Sequence, residues 1–310
     1  MRSNFGKILV GIFSYNEGEN LRHMYDQIKL QCEELNCEIV LIDDSDERRS
    51  LAVVNEIREK DNTKILRGST RRGKIQGYNF LYDFFLNGDY DVLLHFDADH
   101  VLSDSAIFHL VRSVYSGFDV STCLNKPIKT AHMFQRVLYI MVSPATFKRE
   151  NGMFDLPLVG HNGAYNKNSV KKIGNIPFGG IDEETYVLSK VLENGLSHTI
   201  VKNAICYYAL PGTLSDYIEN IRRVYGKVKA FNRYININVP NGKNGDASHI
   251  IKSIYSRPPL KFIVRSLLSD PIAALFVPFV VVVRWVIMKC ARIYTSDTWE
   301  SIKTTKILNN

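Results

Sequence analysis

Through the first 124 residues, short unbroken apolar runs alternate with segments whose apolar residues recur every three or four positions. The runs KILVGIF, EIVLID and DVLLHF have strand length and no polar face, as in strands buried on both sides. KIL, at residues 64–66, is a candidate short strand. Between the runs, NEGENLRHMYDQIKLQCEEL places Leu21, Met24, Tyr25 and Ile28 on one helical face. RRSLAVVNEIREK and GKIQGYNFLYDFFLNG also read as helices, the latter closing on Gly88. SDSAIFHLVRSVYSG begins with a Ser/Asp cap and stops at Gly117, and FDVSTCL adds a further strand. This alternation predicts an α/β fold with a doubly wound, mostly parallel sheet flanked by helices.

The middle third is less regular. AHMFQRVLYIMV predicts an amphipathic helix, and GHNGAYNKNSVKKIG a loop with a short helix. DEETYVLSKVLENG has an acidic first turn and ends on Asn194-Gly195, which suits both ends of a helix. HTIVKNAICYYAL predicts a strand stopped by Pro211-Gly212. In the last third, SDYIENIRRVYGKVKAFNRYI predicts a basic helix and NVPNGKNGDAS a linker. Asp270 before Pro271 is N-cap chemistry with Pro at the first helical position. A helix from Pro271 to Ile293 would be about 34 Å long, at ~1.5 Å per residue, and could cross a bilayer. Pro278 would kink it, and Arg284 and Lys289 lie towards one end, where they could snorkel. A buried or oligomer-interface helix has the same pattern. The expected division is a catalytic domain over 1–212, a basic helix and linker over 213–265, and a hydrophobic helix and tail over 266–310.

Charge changes this picture in one place. The formal net charge is +7, yet Arg222 to Arg265 holds ten Lys/Arg against Asp246 alone, so the remainder sums to −2. A basic stretch beside an apolar segment predicts attraction to an anionic membrane surface. No nucleic-acid recognition motif accompanies it. The N-terminal apolar run is too short for a signal-peptide core, and five cysteines without a CxxC pair fit a reducing compartment. The expected location is the cytoplasmic face of a membrane, peripheral or single-pass.

Parallel sheets bind ligands beyond the carboxyl ends of their strands. Carboxylates stand at two such ends: Asp43 and Asp44 after EIVLI, and Asp97 and Asp99 after DVLLHF. Two carboxylates at i and i+2 can share a hard divalent cation such as Mg2+ or Mn2+. His100, His161 and His198 are too irregularly spaced to predict a metal set.

In order, ILVGIFSYNEGENL, EIVLIDDSDERRS, RRGKIQGYNF, LLHFDADHVL and GHNGAYNKNSVKKIGNIPFGGIDEETYVLSKVLENG resemble the motifs of family 2 glycosyltransferases with the GT-A fold, over about residues 7–226. The resemblance implies inverting, metal-dependent transfer from a UDP- or GDP-sugar to a hydroxyl of a glycan or lipid-linked acceptor. It implies that Asp44, with Asp43 as neighbour, contacts the nucleobase, and that Tyr15, Asn16 and Glu17 line the same pocket. Arg71, Arg72 and Lys74 would lie along the diphosphate, Asp99 on Mn2+ or Mg2+, and Asp97 on the metal, ribose or sugar. The family's base is the second acid of a Glu-Asp pair; here Glu183-Glu184 stands in that place, with Asp182 as a third acid. Glu184 is the expected base, with Glu183 and Asp182 as alternatives. In NIRRVYG, Tyr225 replaces the Trp of processive members, and Arg222 or Arg223 would contact diphosphate. A polyprenyl-phosphate sugar synthase and a non-catalytic nucleotide- or glycan-binding scaffold remain alternatives, as does homo-oligomerisation.

Overall fold

The computed structural model describes residues 5–68, 73–152, 162–178, 183–223 and 258–290. The first half follows the predicted alternation: β1 (Ile8–Ser14), α1 (Glu19–Cys32), β2 (Cys37–Asp43), α2 (Arg48–Asp61), β3 (Lys64–Leu66), α3 (Lys74–Asn87) and β4 (Val92–Asp97). Then come β5 (His100–Leu102), α4 (Ala106–Tyr115), β6 (Val120–Pro127), α5 (Met133–Glu150), β7 (Gly163–Asn166), α6 (Lys167–Ile173), α7 (Glu183–Glu193) and β8 (His198–Tyr208). Residues 214–223 are helical (α8), followed by α9 (Leu260–Ser269), α10 (Pro271–Ala274) and α11 (Val277–Cys290).

The strands form one sheet in the order β3-β2-β1-β4-β7-β6-β8-β5. The β3-β2-β1-β4 half is parallel. Beyond it the sheet is mixed: β7 runs antiparallel to both β4 and β6, β8 runs parallel to β6, and β5 is antiparallel to β8. Two short strands go beyond the sequence pattern: β7 lies in the segment that reads as a loop with a short helix, and β5 in a stretch to which the pattern assigns no element. Strands of three or four residues carry too few side chains to show a period, and pairing alone defines them.

The parallel strands are buried on both faces. In β1, Ile8, Val10 and Ile12 pack with residues of α1, α2 and α4, while Leu9 and Phe13 pack with residues of α3, α6 and α7. Small residues bring α3 close to the sheet. A Cβ on Gly77 would lie 2.6 Å from Ile42 Cγ2 and 2.9 Å from Phe13 Cε1. This close approach fixes where the first residue of α3, Lys74, meets the sheet edge. α7 ends in a Schellman motif, with Leu196 N–H donating to Val191 O at 2.9 Å and Gly195 N–H to Leu192 O at 3.1 Å. The expected Ser/Asp cap of α4 is absent as a side-chain bond: Ser105 is left-handed and its hydroxyl caps nothing.

The C-terminal segment corrects the expectation of a continuous helix from Pro271 to Ile293. Asp270 does cap a helix, accepting from Ala273 N–H at 3.2 Å. That helix ends after one turn at Ala274, and α11 begins at Val277. Pro278 lacks the N–H a continuing helix would need and disfavours helical geometry in the residue before it, so the break falls just ahead of it. Among the described residues, no helix is long and apolar enough to cross a membrane. α9, α10 and α11 instead pack against α5, around a cluster that includes Val137, Leu138, Ile140, Ala273, Val280 and Ile287. Arg136 of α5 clamps Asp270 with two bonds of 2.7 Å.

Candidate active site at the carboxyl edge

The loops after β1 and β2 are tied together by Asn16. Its backbone is left-handed (φ 55°), a conformation Asn tolerates better than most residues. Its side chain accepts from the backbone N–H groups of Asp46 and Glu47, both at 3.0 Å, and donates to Asp46 Oδ1 at 2.7 Å. Its own N–H donates to Ser45 Oγ at 2.9 Å, and the Ser45 hydroxyl donates to Asp43 Oδ1 at 2.6 Å. Arg67 donates to Ser45 O and lies 3.9 Å from Asp43 Oδ2. Asp43 is fully buried; burial raises its pKa, and the Ser45 bonds and the Arg67 charge oppose that rise. Asp43 therefore shapes the loop from below, and the partly exposed Asp44 is the acid at its rim. Tyr15 reaches Asp46 at 3.5 Å, and Glu17 accepts from Asn20 at 3.3 Å.

At the end of β4, Asp97 meets Lys74 at 2.7 and 2.9 Å. Burial alone would lower the Lys74 pKa, but Asp97, Glu183 and Glu184 together raise it, so the ammonium is held charged. Glu183 is itself 1% exposed. The start of α7 is thus brought to the same edge as β4, about 85 residues further along the chain. Asp97, Asp99 and His100 each offer one ligand atom, all within 4.8 Å of one another. His100 Nδ1 lies 2.8 Å from Asp99 Oδ1. Burial opposes ionisation of Asp99, but His100 outweighs it and lowers the pKa. Two carboxylates and an imidazole fit a small divalent cation, and the imidazole suits Mn2+ better than Mg2+.

The sequence model of Glycosyl transferase family 2 matches residues 9–174, more than half of the chain. The chain belongs to this family. It is a glycosyltransferase of GT-A fold, which sets aside the non-catalytic scaffold. Over 115 residues it is 29% identical to a dolichol-phosphate mannosyltransferase of Pyrococcus furiosus, covering 37% of this chain. The chain spans about a third (32%) of that relative's length. In structure it resembles a mannosyltransferase from Pyrobaculum calidifontis in complex with GDP-Man and Mn2+, with a TM-score of 0.60 at 16% identity. That match covers 94% of this chain and 86% of the other.

Within this glycosyltransferase, the acids of α7 lie beyond the matched stretch and reach the edge only through the fold. Arg71, Arg72, Asp182, Tyr225 and His161 lie outside the described residues. Arg223, in α8, donates to Asn220 at 3.2 Å. His198 is at the opposite edge: it pairs with Val120 at the start of β6, which runs parallel to β4. Two contributors were missed from sequence. His100 belongs to the irregularly spaced histidines, although its adjacency to Asp99 is an available signal. Asn162, left-handed (φ 37°) and 1% exposed, accepts from Asp97 N–H at 2.9 Å through its side chain. Its carbonyl accepts from Cys123 N–H at 2.9 Å, so it stitches the tip of β4 to β6. Nothing in a lone Asn of a loop-like segment signals that role.

Proposed function

We propose that this edge binds a nucleoside-diphosphate hexose and transfers the sugar, with inversion, to a hydroxyl of a glycan or lipid-linked acceptor. The convergence of Asp97, Asp99 and His100 with Lys74, Glu183 and Glu184 carries this reading. GDP-mannose is the first donor to test, because the Pyrobaculum relative is described with GDP-Man and Mn2+. Asp44, Tyr15, Asn16 and Glu17 would hold the nucleoside, with Arg71, Arg72, Lys74 and Arg223 offered to the diphosphate. Asp97, Asp99 and His100 would hold Mn2+ or Mg2+, and the bound cation would neutralise charge on the leaving diphosphate. Glu184 would accept the acceptor's proton as its oxygen bonds to the sugar C1 and the bond from C1 to the diphosphate breaks. Glu183 and Asp182 are its alternates.

A second reading takes a polyprenyl phosphate as acceptor, and the Pyrococcus relative's description favours it. That oxygen is already anionic and would need no base. Transfer from GDP-[14C]mannose, with a hydroxyl acceptor against a polyprenyl phosphate, separates the two. Failure of both GDP and UDP to bind with Mn2+ would overturn both.

The side chains of α9 to α11 support a reading of location. Leu260 (73% exposed), Leu268 (72%), Leu275 (78%), Phe279 (59%) and Trp285 (59%) face outward with Lys261, Arg265 and Lys289 among them. We read this as a face lying in a membrane interface, apolar side inserted and cations at the headgroups. The full chain should sediment with vesicles containing anionic lipid, and a chain ending at Arg257 should not. Full-length protein that stays in the supernatant would overturn peripheral docking.

A further inference from the structure

His100 stands on the last strand of the sheet. β5 is three residues long and pairs with β8 on one side. Ser103, which follows it, faces β8: its N–H donates to Ile205 O at 2.8 Å, and its hydroxyl accepts from Ile205 N–H at 3.0 Å. Successive N–H groups of a strand alternate in direction, so Leu102 N–H turns to the outer edge. There a side chain takes the place of a strand. Gln27 of α1 accepts from Leu102 N–H through Oε1 at 3.2 Å.

One turn further along α1, Gln31 holds the rest of the segment with both ends of its amide. Its Nε2 donates to Ser103 O at 3.2 Å, and its Oε1 accepts from Ile107 N–H at 3.1 Å. Ile107 lies in the first turn of α4, where the Ser105 hydroxyl caps nothing, so Gln31 supplies a cap from another helix. A spacing of four residues puts both glutamines on one face of α1, and both are half-buried there. The helix is a firm support, because its Leu21, Met24, Tyr25 and Ile28 are packed in the core. Its first turn also meets the loop after β1, where Asn20 donates to Glu17 at 3.3 Å.

The glutamines are not among the three ligand-bearing residues, so what they govern is position. On the near side, the tip of β4 is anchored by Asp97 N–H on the Asn162 side chain and by Ala98 N–H on Phe13 O, both at 2.9 Å. On the far side stands the clasp of Gln27 on Leu102. The short span between these anchors carries Asp99 and His100, and it brings the ligand atoms of Asp97, Asp99 and His100 within 4.8 Å of one another.

We propose that Gln27 and Gln31 are positioning residues for the cation site: by holding the outer edge of β5 and the start of α4, they keep the His100 imidazole beside Asp97 and Asp99. The inference rests on the reading of those three residues as the cation site, and it gives α1 a share in both the nucleoside loop and the metal ligands.

The experiment titrates the full-length chain with Mn2+ in the presence of GDP, followed by electron paramagnetic resonance. Electron spin-echo spectra then report whether an imidazole nitrogen is bound to the ion. Wild type should show the nitrogen modulation, and His100→Ala should lose it. Gln27→Leu should weaken Mn2+ binding severalfold, up to about tenfold, and diminish the modulation. Gln27→Glu keeps an acceptor oxygen for Leu102 and should restore most of both. In the His100→Ala background Gln27→Leu should cost nothing more, because its effect passes through His100. Gln31→Leu should act in the same direction and carries the test should Gln27→Leu fail to fold. Unchanged Mn2+ affinity and modulation in both leucine variants would overturn the proposal, as would an equal further loss in the His100→Ala background. Absence of nitrogen modulation in wild type would also overturn it while leaving the transferase reading standing; that reading fails instead if neither GDP nor UDP binds with Mn2+.

Discussion

The carboxyl edge of β2-β1-β4 and the α9 to α11 layer treat burial in opposite ways. At the edge, polar and charged groups are withdrawn from water: Asp43 is 0% exposed, Asn16 6% and Glu183 1%. Asn16 and Asp43 Oδ1 are met by the dense bonding of Asn16, Ser45 and Arg67, whereas Asp43 Oδ2 has no hydrogen bond and lies 3.9 Å from the Arg67 guanidinium. In the C-terminal layer, large apolar side chains are left outward, while a polar pair, Arg136 and Asp270, helps hold the layer to α5. So many large apolar side chains left exposed in one layer suit an interaction surface. The difference teaches that chemistry in this enzyme depends on preorganised polar contacts, whereas the proposed membrane docking would depend on surface left uncovered. Substitutions should therefore separate the two functions.

The largest effect is expected from Glu184→Gln. Loss of a general base should lower kcat by about 10²–10⁴, with GDP and donor affinity and vesicle binding nearly unchanged. Near-normal turnover in single-turnover assays would move the base to Glu183 or Asp182, or favour the polyprenyl-phosphate acceptor. Asp99→Ala should come next. It should weaken Mn2+-dependent GDP binding about tenfold or more and leave binding to lipid intact. A metal titration showing equal affinity would remove Asp99 from the cation site.

Gly77→Ala tests whether the edge depends on the close seating of α3. The added methyl meets Ile42 and Phe13, and overpacking of this kind costs about 1–3 kcal/mol. Denaturant unfolding should show that loss, with activity reduced as Lys74 shifts, while sedimentation with vesicles persists. On the other side of the comparison, Phe279→Ser with Trp285→Ser should weaken vesicle binding by about 1 kcal/mol or more per residue. Turnover on a soluble donor-hydrolysis assay should not change. A coupled loss of both would show that the two regions are not separable.

The smallest effect concerns the clamp. Arg136 holds the Asp270 carboxylate down to a pKa of about 2, against an ordinary 3.8. A depressed folded-state pKa stabilises above the unfolded value and ceases to do so as pH falls through the folded one. The melting-temperature difference between wild type and Asp270→Asn should thus be full above about pH 4 and shrink between there and pH 2. A difference constant across that window would show that ionisation of Asp270 contributes no stability, through neither the Arg136 clamp nor the Ala273 cap bond.

By itself, the chain determined the elements with a strong period and the acids at strand ends. The runs that became β1, β2 and β4 are buried on both faces, so their sequence is legible without knowledge of partners, and Asp43, Asp97 and Asp99 follow them directly. The ends of α7 and the Asp270 cap were legible for the same reason: cap chemistry acts within a few residues. What depends on distant contacts was decided only by tertiary structure. The antiparallel insertion of β7 needs β4 and β6 on either side before it is a strand. Lys74 becomes a partner of Asp97 only because two glycines, Gly11 and Gly77, let α3 lie close on β1 and β2. His100 was one of three scattered histidines until β5 paired with β8 and set it beside Asp97 and Asp99. The apolar C-terminal run fixed hydrophobicity but not its use. Pro278 and the pull of Arg136 on Asp270 divide it into short helices packed along α5, and a face that could have crossed a bilayer is laid along the surface of the enzyme.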